Sequence, residues 1–98
     1  MSDQANLLTF VLVARIPEEG IADFQAYEAA VLPLLAEFGG RLERRLRSQD
    51  GTTEVHIVSF ASEADFQNYR NDPRRMAQVR LLETSAAKLE LLPMTNVQ

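Results

Sequence analysis

Read in alternation, the segment RLERRLRSQDGTTEVHIVSF places Arg41, Glu43, Arg45 and Arg47 on one side of a strand and Glu54, His56, Val58 and Phe60 on one side of the next. His56 is the only histidine of the chain. With an ordinary pKa of about 6.5, an imidazole can give or take a proton near neutral pH. Guanidinium groups at Arg45 and Arg41 can hold a carboxylate or enolate through paired N–H donors, and a carboxylate at Glu43 or Glu54 would tune the histidine. Together these residue types form a candidate proton-transfer site for a small organic acid or carbonyl compound, with His56 as acid or base. The plainer reading of the same row is structural. Arg47 with Glu54 across the hairpin, and Arg45 with Glu43 along one strand, would then be ion pairs contributing about 0.2–1 kcal/mol each.

Other chemistries find less support. The chain has no cysteine, which removes thiolate nucleophiles, disulfides and zinc-thiolate sites. One histidine with scattered carboxylates offers neither a two-histidine helix motif nor a facial triad, so no metal is expected, and no tightly held cofactor either. Fourteen acidic against ten basic residues give a net charge of −4, a field that repels nucleic acid. Near the N-terminus the apolar run LLTFVLVARI follows Asp3 and ends in Arg15, the pattern of neither a leader peptide nor a membrane span, and cytoplasmic residence is the default expectation.

The elements that must position the row follow from periodicity. Leu7 to Ile16 is apolar on both alternating faces, as in a central strand covered on two sides. From Ile21, apolar residues recur at Phe24, Tyr27, Val31, Leu34, Leu35 and Phe38, a helical stripe bent by Pro33 and ended by Gly39-Gly40. Arg41 to Ser48 and Thr53 to Ala61 form a hairpin around Asp50-Gly51, read as a type I′ turn. That register sets Arg47 opposite Glu54, Arg45 opposite His56, Glu43 opposite Val58 and Arg41 opposite Phe60. Leu42, Arg44, Leu46, Val55, Ile57 and Ser59 take the other face, which is expected to lie under the helices. Ser62 with Asp65 opens a second helix bearing Phe66 and Tyr69, Asp72-Pro73 starts a further helical segment, and AAKLELLP supplies a last strand. Arg70, Arg74, Arg75 and Arg80 make this second helical region basic, either a solvated face or an anion-binding groove.

The order βαββαβ in 98 residues is a ferredoxin-like sandwich, an antiparallel four-stranded sheet with helices on one face, as one domain with an ordered core from about 6 to 93. A first strand apolar on both faces then needs a second cover. The simplest supply is the sheet of another subunit, closing a dimeric α/β barrel lined by the arginine and histidine row. The RNA-recognition motif shares this order, but EVHIVSF lacks its glycines and aromatics.

The turn Pro33…Phe38-Gly39-Gly40-Arg41, the passage Phe60-Ala61-Ser62-Glu63-Ala64, and Tyr69 ahead of Asp72-Pro73 resemble the small proteins grouped as DUF1330, within the dimeric α/β-barrel superfamily. The resemblance implies a homodimer whose two sheets enclose a cavity. It also implies relatives that include cofactor-free monooxygenases, dehydratases, isomerases and haem-degrading enzymes. It transfers no catalytic residue. Two functional expectations result: a cofactor-independent enzyme on a small organic acid or carbonyl compound, or a non-catalytic binding or interaction module whose polar row is structural.

Overall fold

The computed structural model describes residues 7–97. The expected start of the ordered core at residue 6, and Asp3 with the rest of the N-terminal stretch, lie outside them. Strand β1 (Leu8–Arg15) leads through a short 3₁₀ turn into helix α1 (Ile21–Val31). Strands β2 (Gly40–Arg47) and β3 (Thr53–Phe60) form the hairpin. Helices α2 (Glu63–Arg70), α3 (Pro73–Met76) and α4 (Val79–Ser85) then return the chain to β4 (Lys88–Met94). The four strands lie in the order β2-β3-β1-β4, all antiparallel neighbours, which is the ferredoxin-like sandwich.

Local chemistry accounts for the breaks. Pro33 has no N–H for an α-helical bond, and after Val31 the helix tightens into a 3₁₀ segment from Leu32 to Phe38. Gly39 closes it at φ 66°, a left-handed C-cap with no Cβ to clash. Ser62 caps α2 by accepting from the Asp65 amide at 3.1 Å, and Asp72 caps α3 by accepting from the Arg74 amide at 2.8 Å.

The hairpin loop is wider than a two-residue turn. Ser48 still pairs with Thr53, and a β-turn closes through the Gly51 amide to the Ser48 carbonyl at 3.0 Å. Asp50 Oδ1 fixes the loop by accepting from the Ser48 hydroxyl, the Thr52 amide and the Thr52 hydroxyl at 2.7–3.0 Å. Those bonds hold the Asp50 carboxyl down at about 2. Because the extra residues are added symmetrically, Arg47 still faces Glu54 and Arg45 still faces His56.

Beyond Arg44 the ladder slips. A β-bulge at Glu43 places Leu42 opposite Val58, Arg41 opposite Ser59 and Gly40 opposite Phe60. From there on, every β2 side chain lies on the other face from the one strict alternation assigns it.

The core is split. One cluster joins Leu34, Leu35, Phe60 and Tyr69, with Phe10, Leu42, Val58 and Phe66 packed against it. A second joins Ala14, Ile16 and Phe24, with Ile21 and Leu82. Each fully buried aromatic or aliphatic side chain contributes about 1.5–3 kcal/mol, so both clusters are needed to hold a domain of this size. Members of both line a cavity of about 350 Å³ between the sheet and the helices.

Candidate functional site

The site begins with the parity of β3. Glu54, His56, Val58 and Phe60 point toward the helices, and His56 and Glu54 are 2% and 1% exposed. This corrects the expectation that the polar row lines an inter-subunit barrel. Val58 and Phe60 belong to the core cluster under the helices, and with a period of two they carry Glu54 and His56 to the same side. The face away from the helices holds Val55, Ile57 and Ser59 with Leu46 and Arg44, and Val11 and Val13 beside them.

The row is also divided. Arg45, Arg47, Glu54 and His56 come together on the helix side. Arg41 and Glu43 do not join them: the bulge turns both to the opposite face, where Glu43 accepts from the Ser59 hydroxyl at 2.6 Å. In their place stands Glu28 of α1, which the sequence reading passed over. The signal was present, because Glu28 falls four residues after Phe24 and three before Val31 on the apolar stripe, where a carboxylate must be partnered.

The contacts form one closed network. Glu54 accepts from Arg47 Nε at 2.7 Å, Arg45 Nε at 3.3 Å and His56 Nε2 at 2.8 Å. Glu28 Oε1 accepts from Arg45 Nη2 at 2.8 Å, which ties α1 to β2. Glu28 Oε2 lies 3.1 Å from His56 Nε2, yet it is buried without a hydrogen-bond donor. The single N–H of Nε2 serves Glu54, so the approach to Glu28 is an electrostatic contact rather than a hydrogen bond.

Burial alone would depress the His56 pKa, but Glu28 at 3.1 Å and Glu54, which accepts its hydrogen bond, outweigh it and raise the imidazole above its usual value. Burial would likewise raise the Glu54 carboxyl, yet bonds from His56 and Arg47 and the Arg45 charge hold it well below the ordinary carboxylate range. With Arg45 and Arg47 set against Glu28 and Glu54, a proton held on His56 leaves the cluster one formal positive charge in excess, which favours an anion developing beside it.

Glu28, Glu54 and His56 also offer three ligand atoms within 4.8 Å of one another. They fit a divalent cation poorly, since both Glu54 oxygens and Glu28 Oε1 already accept from guanidinium groups whose charge would repel it.

Glu28 and His56 form part of the wall of the 350 Å³ cavity. Most of the remaining wall is apolar and aromatic, with Phe10, Phe24, Tyr27, Phe60, Phe66 and Tyr69 presenting rings. Phe10 stacks on Phe66 with centroids 4.4 Å apart, and Phe60 meets Phe66 edge-on at 5.4 Å. Leu89 and Leu91 of β4 complete the lining and are 39% and 47% exposed, so the cavity opens along that edge. The aromatics of the helices are thus both core and cavity wall. A flat, largely apolar molecule fits such a space, with its reactive atom toward Glu28 and His56.

No family model matches the chain, and no curated protein matches it by sequence. Among the described residues no helix is long and apolar enough to cross a membrane. Solved structures do match. SnoaB, a cofactor-independent oxygenase from Streptomyces nogalater, superposes with a TM-score of 0.78 at 21% identity, covering 96% of each chain. A candidate antibiotic biosynthesis monooxygenase from Bacteroides thetaiotaomicron gives 0.77 at 14% identity, covering 99% of this chain and 94% of that one. A similar candidate from Nitrosomonas europaea gives 0.74 at 13% identity, over 99% and 96%. The chain has the ferredoxin-like α/β fold of these monooxygenase-type proteins over nearly its whole length.

Proposed function

We propose that the protein is a cofactor-independent enzyme that removes a proton from a ring-bearing carbonyl compound held between its sheet and its helices. One observation carries the reading: a buried carboxylate oxygen without a donor, Glu28 Oε2, stands 3.1 Å from the His56 imidazole in the wall of an apolar cavity. Such an oxygen is costly to leave unpaired unless it has a task. Glu28 takes the proton from a carbon or hydroxyl activated by the carbonyl, and the His56 imidazolium stabilises the enolate that results. Arg45, Arg47 and Glu54 fix the ring and carboxylate in place.

The fold of the structural relatives supports an oxygenase as the reaction class. An enolate delocalised over a ring is a reductant for dioxygen. A ring methylene then becomes a carbonyl while dioxygen supplies its oxygen and forms one water, a four-electron exchange that balances without a further reductant. The assembly proposed is a homodimer, and the DUF1330 resemblance of the turns and caps accords with this fold.

The test is dioxygen uptake with a panel of hydroxylated and keto-substituted one- to three-ring aromatics. Uptake that falls by about 100-fold or more in Glu28→Gln and His56→Gln variants of native melting behaviour supports the reading. Uptake unchanged in both variants, or none with any member, rejects it in favour of a binding module.

A further inference from the structure

The rim of the cavity carries two arginines that the proton-transfer chemistry does not use. Arg70, the last residue of α2, and Arg75 of α3 both line it. Arg75 lies with its guanidinium 5.0 Å from the centroid of Tyr69, and Arg70 lies 6.0 Å from that of Phe66, both rings being cavity wall. Arg75 Nη1 donates to the Arg70 carbonyl at 3.3 Å, which links the two residues and aims the guanidinium. Its Nε is buried with no partner at all.

Among the described residues neither arginine makes an ion pair. The adjacent Arg74 shows what a structurally employed arginine looks like here: it contacts Asp72 at 3.1 Å and Glu37 at 3.0 Å, and its charge is matched. Their place at the mouth of an aromatic cavity, with the Arg75 Nε buried and unpartnered, sets these two guanidinium groups apart from a solvated face. The Arg75 charge also reaches inward. Burial raises the Tyr27 hydroxyl and Arg75 pulls against it, so the guanidinium acts on the same wall that carries Glu28.

We infer that the ligand of this cavity is an anion, a ring compound bearing a carboxylate, whose acid group is held at the rim by Arg75 and Arg70 while its ring lies inside toward Glu28 and His56. The inference rests on the same cavity as the proposed reaction and specifies its substrate class. Arg41 and Arg45 are thereby relieved of the acid-binding role that the sequence suggested for them, one by its face and the other by its carboxylate partners.

The probes are 2-naphthoate and its neutral isostere 2-naphthamide, titrated by calorimetry against the wild-type chain and against Arg75→Gln, Arg70→Gln, the double variant and Arg74→Gln, each checked by thermal melting. Naphthoate is expected to bind about tenfold or more tighter than naphthamide to the wild type and to Arg74→Gln. That ratio falls toward one in the double variant, and Arg75→Lys, which keeps the charge, retains part of it. An undiminished ratio in the double variant, equal binding of the two probes, or no binding of either at about 5 mM overturns the inference. The reaction fails separately: a wild-type naphthoate preference that depends on Arg75 and Arg70, found together with no dioxygen uptake from any ring compound, sinks only the proton-transfer chemistry.

Discussion

Arg45 and Glu28, seventeen residues apart in sequence, meet at 2.8 Å across the seam between β2 and α1, and through that bond the helix is keyed to the hairpin that carries the rest of the network. Arg45 is 37% exposed at its side chain while Glu28 is 3% exposed, so the pair is asymmetric: water can replace the carboxylate for arginine, but little can replace arginine for the carboxylate. Arg45→Met should therefore cost about 1–3 kcal/mol, mostly from the stranded Glu28 charge. A loss of about 2 kcal/mol corresponds to roughly 8–16 °C in Tm for a chain of this size. Arg45→Lys, which restores charge without the fork, should recover part of it. A Met variant that melts with the wild type would remove the keying role.

The same network sets the pH dependence of stability. His56 has a folded pKa raised above the unfolded value of about 6.5, so its contribution is fully present below that value and is lost as pH rises through the folded pKa. Glu54 has a depressed pKa, so its contribution is present above the unfolded value of about 4.3 and fades as pH falls through the folded one. Tm should be highest between those limits and decline on both sides. His56→Gln should flatten the alkaline decline, and the acid one, which Arg47 and Arg45 also sustain through Glu54, should shrink but persist. Identical slopes above about pH 7 in the two proteins would show that the imidazolium is not a stabilising charge.

Element order and strand pairing were legible because each rests on local chemistry: the Pro33 break, the Gly39 cap, the Ser62 cap and the Asp50-Gly51 turn. The pairing of Arg45 with His56 followed from the turn, and it survived a loop wider than expected because the extra residues were added symmetrically. The site was not legible in the same way. Alternation says which residues share a face but not which face the helices choose, and that choice shows only in the packing of Val58 and Phe60 with Leu34, Leu35 and Tyr69. A bulge at Glu43 has no sequence signature here, since no glycine marks it, and it removed Arg41 and Glu43 from the row. Glu28 was missed because it was read within a stripe of apolar neighbours rather than as the exception to it.

Close approach of backbones fixes α1 against α4. A Cβ built on Gly20 would stand 1.9 Å from the Ser85 carbonyl oxygen, and Ser85 itself is 1% exposed, its hydroxyl bonded to the Leu82 carbonyl at 2.6 Å. Backbone cannot yield as a flexible side chain does, so Gly20→Ala must push the helices apart. A cost of about 1–3 kcal/mol is expected. Denaturant midpoints compared at equal m-value would measure it, and a shift below about 0.5 kcal/mol would mean the contact relaxes freely.

The sheet face opposite the helices carries the last prediction. Register puts Val11 and Val13 of β1, Val55 and Ile57 of β3, Leu46 of β2 and Leu92 of β4 on that side, flanked by the Glu43–Ser59 pair. Leu46 and Leu92 are 47% and 37% exposed in the single chain, and a contiguous apolar sheet face of this kind marks an interface. A second copy of the chain would bury it sheet to sheet, supplying the second cover that β1 requires and adding the apolar area that a domain this small otherwise lacks. Light scattering at micromolar concentration should return twice the chain mass of 11.0 kDa. Ile57→Lys places a charge at the centre of that face and should yield a monomer with a lower Tm. His56 is the next residue, but its side chain points the other way, so the naphthoate preference of any folded monomer should persist. A wild-type chain that scatters as a monomer would leave the apolar face without its proposed cover, and a monomeric Ile57→Lys chain that loses ligand binding would mean the cavity is not complete within one subunit.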